Sequence, residues 1–123
     1  MDQHYAESHY VEDLEALIKK HQLRFVDLHA EQVAAENFEP KLKTECDSIV
    51  DDIKKIDAKE DFESNESLQQ EREVLSEKLI FMFRKLKFFR ERIAKCKSEK
   101  EQVLEELGQL NFQRLHVSVV HNK

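Results

Sequence analysis

A chain of 123 residues with one Gly, one Pro, no Trp and 37% charged residues lacks the turn residues that sheets and compact multi-element folds use. Its surplus of Glu, Lys, Leu and Gln points to long helices, and its apolar residues are too numerous and too periodic for a fully disordered chain. The net charge of −6 conceals a split: residues 1–83 carry 10 Lys/Arg against 21 Asp/Glu, whereas residues 84–100 carry eight cations against two anions.

The opening MDQHYAESHYVEDL lacks the basic and then apolar regions of a secretory signal. No run approaches the roughly 18 uncharged apolar residues of a membrane span. The expectation is an intracellular chain of the cytoplasm, the cytoskeleton or the nucleus. Residues 1–8 read as a flexible N-terminus, and a first coiled-coil arm is expected over 9–60. Within that arm Val11, Leu14, Ile18, Phe25, Leu28, Ala35, Leu42, Cys46, Ile49, Ile53 and Ile56 all fall on the a and d positions of one heptad frame. His21, Gln32 and Glu39 are its polar exceptions. His21 is expected to be a partly buried structural imidazole whose protonation loosens its layer below about pH 6. The frame survives Pro40, so a kinked but continuous helix is expected there rather than a loop.

A turn or hinge is placed at 61–67. The heptad phase shifts by two residues across this region, which a continuous coiled coil does not absorb as it does insertions of three or four. Ser64, Asn65 and Ser67 are candidate caps, and Ser67 with Gln70 has capping-box spacing. The second arm, 68–116, carries Leu68, Leu75, Leu79, Met82, Leu86, Phe89, Ile93, Cys96, Val103, Leu107 and Leu110 in its own frame, which Val117 continues. Arg72, Lys100 and Arg114 interrupt that frame with long stems able to cover a seam. Residues 117–123 read as a flexible C-terminus.

Flanking charges then choose the pairing. A parallel in-register homodimer sets Glu31 beside Glu36, Asp52 beside Asp57, Lys85 beside Arg90 and Arg92 beside Lys97, all repulsive. Folding the chain at residue 64 places Leu42 against Leu86 and Cys46 against Met82. The neighbours Lys59 and Glu71, Asp52 and Lys78, Glu45 and Lys85, Arg24 and Glu106, and Glu36 and Arg90 then attract. The expected fold is therefore all-α: two long helices forming an antiparallel coiled-coil hairpin, with a dimeric four-helix bundle as its larger form. An extended, bent coiled-coil rod is the alternative.

One seam leaves apolar residues over. Val74, Phe81 and Phe88 recur every seven residues, with Ile80 and Phe83 near them, and contiguous exposed apolar surface marks contact sites. Val74, Ile80, Phe81, Phe83 and Phe88 are thus the candidate protein-binding residues. They are expected to serve self-association or a helix of another protein, so that the chain works as a homo- or hetero-oligomer.

Chemistry is scarce. His4 and His9, like His116 and His121, are five apart rather than the four that place two imidazoles on one helical face, so no metal site is expected. Cys46 and Cys96 read as small core residues rather than a disulfide. Adjacent carboxylates such as Asp51 and Asp52 diverge on a helix, and no phosphate loop or nucleophile elbow occurs. No catalytic residue, cofactor or enzymatic activity is expected. The anticipated function is that of a non-enzymatic adaptor or structural protein, of the kind found in cytoskeletal, centrosomal, axonemal or kinetochore assemblies. The alternatives are a small helical chaperone or escort for an apolar client helix and, less favoured, a nucleic-acid or acidic-lipid binder using residues 84–100.

Overall fold

The computed structural model describes the backbone from Gln3 to His121 and the side chains of residues 9–117. Two long helices, α1 (Gln3–Asp57) and α2 (Glu66–His121), pack against each other as an antiparallel hairpin. The extended rod is set aside. The ends expected to be flexible, 1–8 and 117–123, lie outside the described side chains apart from Val117. Helix α1 runs through Pro40 without interruption, and the Thr44 hydroxyl donates to the Pro40 carbonyl oxygen at 2.9 Å.

The chain reverses without a glycine. After α1 the Ala58 N–H donates to the Lys54 carbonyl at 3.0 Å and the Lys59 N–H to that of Ile56 at 3.1 Å. A single 3-10 turn, Phe62–Ser64, follows. Among the described residues none has a positive φ, so the turn needs no residue freed from a Cβ. Side chains supply the missing punctuation. Asn65 accepts the N–H groups of Ser67 (3.1 Å) and Leu68 (3.3 Å) on its side-chain oxygen, the N-cap of α2. The cap is Asn65 rather than the Ser67 and Gln70 box, because α2 begins at Glu66. Gln69 reaches back to the Phe62 and Glu63 carbonyls, and Arg72 grips the Asp57 carboxylate with Nε at 2.6 Å and Nη2 at 3.3 Å.

The hairpin comprises two compact units, residues 33–94 and residues 1–32 with 95–123. In the first, Leu42, Cys46, Ile49, Met82 and Leu86 form the core, with Ile53, Leu75, Leu79 and Phe89 packed against it. These are the a and d residues of both frames in the expected register. Arg90 pairs with Glu39 at 3.0 Å, not with Glu36. Burial pushes the Cys46 thiol above its ordinary value of 9.0, with Asp47 and Glu45 adding to the rise and Arg90 opposing it.

In the second unit Leu28, Cys96 and Val103 are the buried cluster, with Phe25 and Leu107 against it. The Cys96 thiol donates toward Glu31 Oε2 at 3.7 Å. Both cysteines are buried free thiols. Arg24 pairs with Glu99 at 3.5 Å rather than with Glu106, whose carboxylate is taken by His21 Nε2 at 2.7 Å. His21 Nδ1 lies 2.8 Å from the Leu17 carbonyl oxygen. Each ring nitrogen of His21 thus lies within hydrogen-bond distance of an oxygen acceptor, one on its own helix and one on α2.

Candidate protein-docking face

The heptad frame divides the surface of residues 33–94 into two flanks. Positions c and g of each helix lie on one side of the seam, and b and e on the other. Residues seven apart share a flank, whereas adjacent residues diverge by about 100°. Val74, Phe81 and Phe88 therefore line one flank of α2, and Ile80 and Phe83 lie on the other. All five are among the large hydrophobic side chains left exposed, so the sequence-derived set is one of outward-facing residues but not one continuous stripe.

On the first flank the rings are joined across the two helices. Phe38 of α1 stacks on Phe89 with centroids 5.6 Å apart and planes within 5°. Phe88 meets the same Phe89 ring edge-on, also at 5.6 Å. Phe89 is a seam residue, so it connects the buried core to two exposed rings. The Lys41 ammonium lies over Phe38 at 5.8 Å and that of Lys85 over Phe81 at 4.7 Å. Lys85, expected opposite Glu45, thus sets its ammonium group over an aromatic ring of its own helix.

The other flank holds a shallow open groove lined by Phe83, Leu86, Lys87, Arg90, Glu91 and Ala94. Phe83 is the candidate residue that enters it; Ile80 does not line it. Lys87 and Arg90 are held by Glu91 (3.9 Å) and Glu39 (3.0 Å), so the groove wall is charge-balanced.

Phe38 is the residue of this face that heptad reading passed over. It lies at a g position beside the polar seam residue Glu39, and a lone aromatic there shows no periodicity along α1. The signal lies across the hairpin: in the register that sets Glu39 against Phe89, Phe38 must come beside Phe88 and Phe89. In the unit of residues 1–32 and 95–123, Leu17, Leu23, Val26, Leu104, Phe112 and Leu115 are also exposed, and Lys100 lies over Phe25 at 5.4 Å and 3.1 Å from His29 Nδ1.

Among the described residues no three His, Cys, Asp or Glu side chains gather as metal ligands would, and no helix is long and apolar enough to cross a membrane. No family model, curated protein or solved structure matches the chain.

Proposed function

We propose that the chain is a non-enzymatic adaptor that binds other proteins through the flanks of its helical hairpin. One observation carries this reading: Phe38 and Phe88 are each more than half exposed while both pack on the seam ring of Phe89, and Phe81, one heptad before Phe88, is equally exposed beneath Lys85. Rings a little more than half exposed forgo roughly 1 to 2 kcal/mol each of burial, which a covering helix supplies. Long two-helix scaffolds of this kind are frequent in cytoskeletal, centrosomal, axonemal and kinetochore assemblies, and the proposal places the chain in that class. The nucleic-acid reading is less supported, because in residues 84–100 Lys87, Arg90 and Lys95 are held by carboxylates and Lys85 lies over a ring.

A photocrosslinking residue placed at position 81 or 88 in cells should capture one discrete partner protein, and the same residue at position 51, on the outer face of α1, should not. Capture from position 51 as efficient as from 81 would sink the proposal.

A further inference from the structure

We propose that the flank bearing Phe38, Phe81, Phe88 and Val74 takes an acidic amphipathic helix of another protein. The inference rests on the docking reading above and names the chemistry of the partner. It follows from what surrounds the rings. Lys41 and Lys85 lie over Phe38 and Phe81, and Lys78 and Arg92 occupy the remaining c and g positions of α2 between residues 78 and 92. The anions on the same flank of residues 33–94 are Glu45 and Asp52 of α1 and Glu71 near the start of α2, one heptad or more from the rings of Phe81 and Phe88. The rings are therefore set in a band of excess positive charge. A helix with apolar anchors seven residues apart, about 10.5 Å along its axis, matches the spacing of Phe81 and Phe88. Carboxylates beside its anchors would meet the lysine ammonium groups that rise past the rings.

A second copy of this chain fits less well, for a geometric reason. Two hairpins stacked flank on flank about a two-fold axis have two arrangements. With the axis across the helices, α2 lies antiparallel on its own copy and ring meets ring. Opposing Phe81 to Phe88 then sets Lys85 against Lys85 and Lys78 against Arg92. With the axis along the helices, α2 lies on the partner's α1 in the intrachain register. Charges are then complementary, but Phe81 meets Ser48 and Phe88 meets Lys41, both exposed polar residues. Each symmetric option sacrifices either the charges or the rings, whereas an acidic helix satisfies both.

The test uses the full chain and two fluorescein-labelled helical peptides of about four heptads. Both carry Leu at a and d; one has Glu at every e and g position and the other Lys, so that copies of each peptide repel one another. Fluorescence anisotropy should show the Glu peptide binding at least tenfold more tightly than the Lys peptide, with that preference shrinking as salt rises from about 0.05 to 0.3 M. The F81S/F88S variant should lose at least tenfold in affinity. K78E/K85E should lose roughly tenfold and turn the preference toward the Lys peptide. Far-ultraviolet circular dichroism must show both variants as helical as the parent. Sedimentation should give the 14.7 kDa monomer. Equal binding of the two peptides, lost in F81S/F88S, would overturn the acidic partner while leaving the docking module standing. Binding of neither peptide by a monomer would overturn both. A dimer that dissociates in F81S/F88S would give the face to a second copy. Tighter binding of single-stranded oligothymidylate than of the Glu peptide would give it to nucleic acid.

Discussion

Leu86 and Phe81 lie less than two turns apart on α2, yet the structure gives their truncation very different consequences. Leu86 is 4% exposed within the core of Leu42, Cys46, Ile49 and Met82, whereas Phe81 is 56% exposed. Leu86→Ala removes three buried carbons, a transfer loss of roughly 2.4 kcal/mol at about 0.8 kcal/mol each. The cavity left behind raises the total to roughly 3 kcal/mol. At about 2.1 cal/mol/K per residue of unfolding entropy, that lowers the Tm by roughly 10 to 15 °C. Phe81→Ala forfeits less than half of a full burial, about 1 kcal/mol, and about 0.5 kcal/mol of contact with Lys85. The better helix propensity of Ala offsets about 0.5 kcal/mol of this. The net cost is about 1 kcal/mol or less. Urea and thermal unfolding followed by circular dichroism at low protein concentration measure both. Equal costs for the two variants would show the Phe81 ring enclosed within one copy and would refute the exposed docking face. A Leu86→Ala cost under about 1 kcal/mol would refute the seam.

Three further outcomes follow from the structure. Asn65→Ala should destabilise the hairpin by about 1 kcal/mol in urea unfolding, and Asn65→Asp, which keeps an acceptor for the Ser67 and Leu68 N–H groups, by clearly less. Pro40→Ala should stabilise by roughly 1 to 3 kcal/mol, since residue 40 would regain an N–H to donate within α1; an unchanged or lower Tm would show that the helix is built around the proline. Because burial raises the Cys46 thiol, its contribution to stability is fully present below the ordinary thiol value of 9.0 and is lost as pH rises through the raised folded value. Stability of the parent should therefore fall in that alkaline window more steeply than that of Cys46→Ala, and native Cys46 should resist alkylation until the hairpin opens.

The hairpin was legible because its information is periodic. Seam residues from Val11 to Ile56 and from Leu68 to Leu110 are buried or half-buried, and the phase break between the frames coincides with the turn. Polar partners were less legible, since a long side chain reaches any of several neighbours within one turn. Arg24 takes Glu99 instead of Glu106, and Arg90 takes Glu39 instead of Glu36. The sequence leaves the N-cap open among Ser64, Asn65 and Ser67 because these residue types cap about equally well, and only the start of α2 selects Asn65. Of the candidate site, the outward residues of α2 were readable from their surplus over one seam. Their division into two flanks required the helical angle between neighbours, and Phe38 required the facing helix of the hairpin.

A reversal held by Asn65, Gln69 and Arg72 near the middle of the chain also sets the order in which contacts become affordable in entropy. Arg72 and Asp57 are separated by 15 residues in sequence, Arg90 and Glu39 by 51, and His21 and Glu106 by 85. Loop-closure entropy rises with each of these separations unless the pairs nearer the bend have already formed. The chain is thus built to close as a zipper from the bend outward, each layer shortening the loop for the next. Residues 33–94, which contain the bend, therefore have the shorter loops to close, and the aromatic flank belongs to that portion.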